Sequence, residues 1–278
     1  MESDKYMDLN NEFVFQKEYS LFRNIVTTIK KQLTDKSLYQ NMQIGMKEWH
    51  EVYTSIDLSI EKTIVSMIKE VFPNDYIVSE ESYPELMTGT RCWIIDPIDG
   101  TGNLANQIPL YGVQAVFIYN NIPELGFIYL PALDECFFAA KGQGAFLNGL
   151  KIYAKAEEDI KSMTICMGDF SKKNKRQADL QANVMSTVKD HVYRIRMLGS
   201  AGVDFCFLAA GRVSAHVMFS GDLWDIAPGL LIAEEAGCLA CSLYGAELDL
   251  INTKGVIASS SKKFIEFFSS EVKRISGS

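Results

Sequence analysis

Two aspartates, Asp96 and Asp99, follow an apolar run and are the residues of this sequence best suited to chemistry. The run at 93–95 is typical of a buried strand, and Pro97 and Gly100 favour a tight turn directly after it. Carboxylates held this close repel each other and raise each other's pKa. A divalent cation relieves that repulsion, and Mg²⁺ prefers oxygen ligands. The spacing therefore predicts a magnesium site at the end of a strand.

The backbone after these aspartates also suits an anion. A short helix can begin at Thr101, and the amide groups of Gly100 and Thr101 would then point toward a bound phosphate. The plain structural interpretation of an Asp-x-x-Asp-Gly string is a turn with solvated side chains. The residues around the string decide between the two interpretations.

Two strings resemble the signatures of the inositol monophosphatase family. The first is Asp96-Pro97-Ile98-Asp99-Gly100-Thr101-x-Asn103, and the second is Trp224-Asp225-x-Ala227-x-Gly229. The likeness extends over about residues 18–268. It implies a Mg²⁺-dependent, lithium-sensitive phosphatase that acts on small phosphomonoesters.

The resemblance implies five metal ligands from distant parts of the chain: Glu80, Asp96, the Ile98 carbonyl, Asp99 and Asp225. Together they would hold two or three Mg²⁺ ions per active site, which clamp the attacking and leaving oxygens of a phosphoryl group. The same likeness implies that Thr101, Asp99 and Glu80 are catalytic. Thr101 would orient or deprotonate the attacking water.

Two of these positions also have an ordinary structural explanation. Thr54 and Asp57 have the spacing of a capping pair at a helix start, although Asp57 also partly matches the family's Val-Thr-x-x-Asp segment. Glu80 and Glu81 follow a short strand, where adjacent glutamates are commonly solvated, and Ser79 replaces the glycine of the family's Gly-Glu-Glu. We predict Glu80 as a ligand and place Asp57 and Glu81 just outside the metal ligands.

The resemblance also implies six substrate-binding residues: Gly100, Thr101, Gly199, Ser200, Ala201 and Asp225. Simple capping of a helix by Ser200 is the competing interpretation at Gly199-Ser200-Ala201.

Two departures from the family pattern concern the substrate. Inositol-specific members have a glutamate seven residues before the second-signature aspartate, where this chain has Met218, and Asp169 stands where a small hydroxyl residue is frequent. The expected substrate is inositol monophosphate. The alternatives are histidinol phosphate, a sugar phosphate, fructose bisphosphate or adenosine bisphosphate, and from another class a non-catalytic, metal-binding regulatory protein.

Strand and helix patterns alternate along much of the sequence, which predicts an α/β, or α+β, fold. The resemblance implies a layered αβαβα sandwich of the inositol monophosphatase and fructose-1,6-bisphosphatase type. Apolar spacing predicts a helix at 18–33, and the segment 34–50 is expected to be a loop. We divide the chain into an α+β region, 1–151, with the main metal motif, and an α/β region, 152–278. The second region would supply the last metal ligand and the substrate contacts.

Net charge and composition limit the possible binding partners and the location of the protein. A net charge of −8 argues against nucleic acid and anionic membranes as partners. The resemblance implies a small phosphorylated metabolite. The chain has no 18-residue apolar run and a polar N-terminus, so cytoplasmic residence is expected. Six cysteines in mostly apolar segments suit buried, reduced thiols, and Cys238 and Cys241 are not assigned to zinc or redox chemistry. The resemblance implies a homodimer.

Overall fold

The computed structural model describes residues 14–46, 52–83, 90–250, 252 and 255–277. Its helices are, in chain order, α1 (Gln16–Leu33), α2 (Lys36–Gln40), α3 (Ser55–Val71), α4 (Thr101–Ala105), α5 (Lys175–Val188), α6 (Ala201–Ala209), α7 (Leu223–Glu235) and α8 (Lys262–Ser276). Its strands are β1 (Ile44–Met46), β2 (Val52–Thr54), β3 (Tyr76–Ser79), β4 (Arg91–Asp99), β5 (Gly112–Tyr119), β6 (Ile122–Leu130), β7 (Glu135–Ala140), β8 (Gly144–Leu147), β9 (Leu150–Ile152), β10 (Thr164–Met167), β11 (Arg194–Arg196), β12 (Ala215–Met218), β13 (Leu239–Ser242) and β14 (Val256–Ser259).

Two sheets carry most of these strands. In the seven-stranded sheet, β3 to β9 lie in sequence order; β3 is parallel to β4, and the following pairs are antiparallel. The five-stranded sheet has the order β11-β10-β12-β14-β13, with β10 parallel to both of its neighbours. The strands that follow the first motif therefore form an antiparallel meander.

Helices cover both faces of the seven-stranded sheet. On one face α1 and α3 pack against alternate residues of β5, and Phe22 meets Trp93 edge-on at 5.2 Å between ring centroids. On the other face Val116 packs with Val203 of α6 and Leu231 of α7. Because both faces are covered, the central strands consist of almost unbroken apolar runs.

The helices α6 and α7 also pack against the five-stranded sheet, where Phe205 and Ile226 lie with Val256. The far face of that sheet is covered by α5 and α8, through residues such as Val184 and Phe268. The order of layers is therefore αβαβα, as expected. The α6–α7 layer lies between the two sheets, and the functional residues described below lie at its edge.

The expectation of a loop at 34–50 is wrong for the described part of that segment. The Asp35 side chain accepts a hydrogen bond from the Ser37 amide at 2.9 Å and caps α2, and β1 pairs with β2. Elements of five and three residues are too short to show a hydrophobic period, which is why the sequence pattern missed them. Residues 47–50 lie outside the described residues.

All six cysteines are buried and unbonded, as expected for reduced thiols. Among the described residues, no helix combines the length and the apolar character that crossing a membrane requires.

Candidate active site

The end of β4 carries the two aspartates of the main motif. Asp96 lies opposite Gln114 of β5, and the pairing becomes irregular between Asp96 and Asp99, where Pro97 has no amide hydrogen to donate. Both aspartates are largely buried, with 1% and 8% of their surface exposed. A strand that ends in an irregular turn thus holds two carboxylates inside the protein.

Gly100 makes the turn after β4 possible. Its φ is +89°, in the left-handed region that favours glycine, and it precedes α4, which begins at Thr101 as expected. A Cβ atom at Gly100 would lie 3.0 Å from the Ser200 Cβ and 3.2 Å from the Gly199 carbonyl oxygen. The turn therefore packs directly against the start of α6, and a larger residue would separate them.

Asp225 approaches from the first turn of α7. One of its oxygens, Oδ2, accepts a hydrogen bond from the Asp222 amide at 2.7 Å, which fixes the side chain at the helix start. Oxygen atoms of Asp96, Asp99 and Asp225 all lie within 4.8 Å of one another. The structure thus brings together three of the predicted ligands from two distant parts of the chain.

Proximity and burial strongly perturb these carboxyl groups. Burial raises the pKa of Asp96 well above its ordinary range, and the charges of Glu80, Asp99 and Asp225 raise it further. Burial and the charge of Asp99 likewise raise the pKa of Asp225. Burial raises the pKa of Asp99 to about 6, against hydrogen bonds that lower it. The cluster therefore favours a bound cation or bound protons.

The residues present fit a divalent metal ion. Asp96 Oδ1 is buried and has no hydrogen-bond partner among the described residues, whereas Oδ2 accepts from the Gln114 side chain at 3.2 Å. A buried carboxylate oxygen without a partner is costly, and a cation beside it would remove that cost. Oxygen ligands of this charge are those that Mg²⁺ prefers.

The other two predicted ligands are close by. Glu80, in the turn after β3, and the Ile98 carbonyl, within the main motif, line the same cavity as the three aspartates. Glu80 is not a member of the 4.8 Å cluster. It is still near enough for its charge to raise the pKa of Asp96.

Thr101 is held by two acceptors. Its hydroxyl oxygen lies 2.8 Å from Asp57 Oδ1 and 2.9 Å from the Ile98 carbonyl oxygen, so its single proton can be donated to either. Asp57 in turn accepts from both the amide and the hydroxyl of Thr54 at the start of α3. The predicted capping box is present, and it connects α3 to Thr101 through Asp57.

Asp99 also fixes the start of α6. Its carboxylate accepts hydrogen bonds from the Ser200 hydroxyl, from the Ala201 amide at 3.2 Å and from the Gly202 amide at 2.6 Å. Ser200 also caps α6 by accepting from the Val203 amide at 3.2 Å. The capping interpretation of Ser200 is thus correct as far as it goes, and it does not exclude a contact with substrate.

Two adjoining pockets form one cavity beside the acidic cluster. Its carboxylate side is lined by Glu80, Asp96, Ile98, Gly100 and Thr101, and its α6 side by Ser200, Ala201, Asp204, Met218 and Asp222. Both sides share Asp99, Asp169, Lys172, Gly199 and Asp225. The sides measure about 450 and 320 Å³, enough for a small metabolite. All six predicted substrate-binding residues line this cavity, and their roles stay predictions.

Two residues that sequence reasoning missed support the cluster. Gln114 donates through Nε2 to Asp96 and to the Trp224 carbonyl oxygen at 3.1 Å, so it connects β4 to α7. A Cβ atom at Gly202 would lie 2.8 Å from Asp99 Oδ2 and 3.0 Å from Gln114 Oε1, so a side chain there would push into the cluster. A glutamine inside the apolar run 113–119 was the available signal. Glu81 does not appear among the described residues that line the cavity, and its role stays a prediction.

The αβαβα layers and the acidic cluster at their edge are typical of a class of phosphatases, and the comparisons with known proteins agree. A model of the inositol monophosphatase family matches residues 10–276. The chain belongs to this family, whose members are phosphomonoesterases. The predictions of the family, the layered fold and the enzyme class are confirmed.

The chain is also similar to individual relatives. It is 34% identical over 197 residues to the fructose-1,6-bisphosphatase/inositol-1-monophosphatase of Thermotoga maritima, covering 71% of this chain and 73% of that protein. It is 32% identical over 250 residues to bovine inositol monophosphatase 1, covering 88% and 90%. The solved structure of a Thermotoga maritima IMPase has a TM-score of 0.83 and 27% identity, and covers 94% of this chain and 98% of that one.

The raised pKa values predict how stability depends on pH without metal. Carboxyl groups with folded pKa values above their ordinary 3.8, such as Asp99 at about 6, bind more protons in the folded chain than in the unfolded one. Their contribution to stability is therefore lost as the pH rises from about 4 to above 6. In EDTA at about pH 7.5 we expect the free energy of unfolding of Asp225→Asn to exceed that of wild type by on the order of 1–2 kcal/mol.

The check is urea unfolding of both proteins in EDTA at about pH 5 and pH 7.5. The advantage of Asp225→Asn should shrink at the lower pH, where protons already relieve the repulsion. Excess Mg²⁺ at the higher pH should stabilise wild type more than the variant. A variant that is less stable than wild type at both pH values in EDTA would show that the carboxylates do not repel.

Proposed function

We propose that this chain hydrolyses a small phosphomonoester, with inositol monophosphate as the substrate, in a Mg²⁺-dependent reaction. The observation that carries the proposal is the approach of Asp96, Asp99 and Asp225 to within 4.8 Å, in one cavity with Thr101, whose hydroxyl group contacts the buried Asp57. This is the arrangement that phosphoryl transfer requires, because the reaction depends on positioning and on neutralising charge.

The residues proposed to hold two or three Mg²⁺ ions are those predicted from the sequence: Glu80, Asp96, the Ile98 carbonyl, Asp99 and Asp225. Bound Mg²⁺ would supply a lowered water pKa and charge stabilisation of the transferring phosphoryl group. The orphan Asp96 Oδ1 and the raised pKa values of the three aspartates support this assignment.

Thr101 is proposed to orient the attacking water. While its hydroxyl donates to Asp57, its oxygen can accept a hydrogen bond from water on the cavity side. Burial raises the pKa of Asp57, which makes that carboxylate a better proton acceptor. The water proton can therefore pass to Thr101 as the Thr101 proton passes to Asp57. The ligands Asp99 and Glu80 act in catalysis by shaping the charge around the phosphoryl group.

The α6 side of the cavity is proposed to receive the alcohol part of the substrate, next to Gly199, Ser200 and Ala201. Three acids line that side or its boundary in addition to the metal cluster: Asp169, Asp222 and the buried Asp204, whose raised pKa favours its uncharged form. Lys172 and Lys173 line the same side and offset the charges of Asp169 and Asp222. The polar side chains of this side favour an alcohol part that carries hydroxyl groups.

Further parts of the proposal rest on the family resemblance and on composition. They are inhibition by lithium, a homodimer, cytoplasmic residence and the division into regions 1–151 and 152–278. A protein that binds metal without turnover is the alternative from another class. The intact Asp57–Thr101 hydrogen bond of 2.8 Å beside the cluster favours an enzyme, because metal binding alone does not require it.

Asp96→Asn should remove Mg²⁺-dependent phosphate release while the protein stays folded. Asn keeps the shape and one oxygen but loses the charge of a predicted metal ligand, so kcat/KM should fall at least about 100-fold. Phosphate release from inositol 1-phosphate in Mg²⁺ and in EDTA is the measurement. The exposed Asp190 gives a matched control, since Asp190→Asn should keep full activity. Wild-type rates in folded Asp96→Asn would exclude the proposed metal site.

Thr101→Ala should lower kcat by about 100-fold and change KM less than about threefold. The hydroxyl acts on the attacking water and not on substrate binding, and a positioned proton-transfer group contributes at least about this factor. Thr101→Ser keeps the hydroxyl and should retain activity within about tenfold of wild type. Steady-state kinetics on both variants test this, and equal losses in Ala and Ser would assign Thr101 a packing role instead.

A panel of esters separates the candidate substrates. We expect kcat/KM for inositol 1-phosphate to exceed the values for histidinol phosphate, fructose 1,6-bisphosphate and adenosine bisphosphate by about tenfold or more. A cavity with polar partners for hydroxyl groups discriminates against substrates that lack them or that add charge. A faster rate on any other ester would replace inositol monophosphate as the substrate and leave the reaction type standing.

A further inference from the structure

A buried acid lies in the α6 side of the cavity, outside the metal cluster. Asp204 lines that side, and only 1% of its surface is exposed. It lies on α6, four residues after the helix cap Ser200, and both residues line that side of the cavity. The oxygen Oδ1 of Asp204 has no hydrogen-bond partner among the described residues. The proposed chemistry at the three aspartates does not use this group.

A buried histidine lies behind Asp204. The Nδ1 atom of His216, on β12, is 3.3 Å from Asp204 Oδ2, and both side chains are almost fully buried. Neither ring nitrogen of His216 has a hydrogen-bond partner among the described residues. The ring packs edge-on against Phe205, with 4.6 Å between centroids, which holds it beside Asp204. His216 can therefore orient Asp204 from the side away from the cavity.

Such a pair calls for a functional explanation. A buried polar atom without a partner costs on the order of 1–3 kcal/mol, and three such atoms belong to these two side chains: Asp204 Oδ1 and both ring nitrogens of His216. A ligand in the cavity that hydrogen-bonds to Asp204 would recover part of that free energy. Met218, which lines the same side of the cavity, offers no strong hydrogen bond at the position where inositol-specific members have a glutamate.

We propose that Asp204 is the residue that selects the substrate's alcohol part, through a hydrogen bond to a hydroxyl group of a polyol phosphate, and that His216 is its positioning residue. This inference rests on the proposed phosphatase function and adds a specificity contact to the same cavity. The ligand class is a phosphomonoester whose leaving alcohol carries further hydroxyl groups.

The protonation states fit a hydroxyl partner. Burial raises the pKa of Asp204 well above its ordinary range and lowers the pKa of His216 to about 3, so both groups favour the uncharged form. An uncharged carboxyl group can both donate and accept a hydrogen bond, as a hydroxyl group does. The Cys166 thiol also contacts Asp204, and Asp204 itself lines the cavity.

The test compares two substrates in each protein with Mg²⁺ present: inositol 1-phosphate, and phenyl phosphate, whose leaving group has no further hydroxyl. Asp204→Leu has a similar shape without polar atoms, so the ratio of the two kcat/KM values should fall about 10- to 100-fold. Asp204→Asn can still donate and accept, and should keep the ratio within about threefold. His216→Phe keeps the ring against Phe205 and should lower the ratio about three- to tenfold.

The exposed Asp179 supplies a matched control, because Asp179→Leu removes an acid from the surface of α5 and should leave both rates unchanged. Equal falls on both esters in Asp204→Leu would assign the pair a structural role and overturn the inference. An unchanged ratio would also overturn it, as would a wild-type enzyme that does not prefer inositol 1-phosphate. Failure of the proposed function is distinct, since wild type would then release phosphate from neither ester.

A second measurement does not depend on how Asp204→Leu folds. The chain has three histidines, so the ring signals of His216 can be assigned by NMR with His191→Gln and His216→Phe as references. Adding myo-inositol to wild type with Mg²⁺ and phosphate should shift the His216 signals, whereas Mg²⁺ and phosphate alone should not. Identical His216 signals in the two conditions would overturn the inference.

Discussion

Mutual repulsion among Asp96, Asp99 and Asp225 is the constraint on which the rest of the structure depends. Three largely buried carboxyl groups within 4.8 Å stay together only if the backbone holds them or a cation or protons neutralise them. The fold supplies the first condition: β4 is paired on both sides, and the helix that carries Asp225 is packed between two sheets. Apolar burial in the layers therefore offsets an unfavourable arrangement at their edge, as is common where function and stability compete.

Asp99 connects the carboxylate side of the cavity to its α6 side. The same carboxylate that is proposed to bind metal accepts hydrogen bonds from the first residues of α6, which line the side proposed for the alcohol. The close packing of Gly100 on Ser200 makes this connection short, and Gly202 leaves the space that Asp99 occupies. The proposed metal site and the proposed substrate site therefore share one contact between the end of a strand and the start of a helix. A shift of α6 would change both at once.

The features of the site that could be predicted from the sequence are those that depend on residues close together in the chain. The spacing of Asp96 and Asp99 at the end of an apolar run indicated a cation site, because the turn alone holds them close. Asp225 lies 129 residues after Asp96, which is too far for any local sequence pattern. Only the family resemblance therefore connected Asp225 to the first two aspartates. The role of Gln114 beside the acidic cluster was missed, although this residue interrupts an apolar strand. The helix and strand within 34–46 were missed because they are shorter than the length at which hydrophobic periodicity shows. The contact of Asp204 with His216 joins a helix to a strand, and nothing in the spacing of the two residues indicated it.

The position of Asp204 also addresses the problem that the acidic cluster creates for substrate recognition. A glutamate at position 218 would bring another ionised group toward Asp99 and Asp225, where repulsion already raises the pKa of Asp225. Burial favours the uncharged form of the Asp204 carboxyl group and of the neighbouring His216, and an uncharged carboxyl group offers both a donor and an acceptor. In the proposed contact, hydrogen bonding is therefore gained without negative charge. That distinction matters in a cavity where a dianionic phosphate must bind, because each added charge would weaken the binding of the substrate that the site selects.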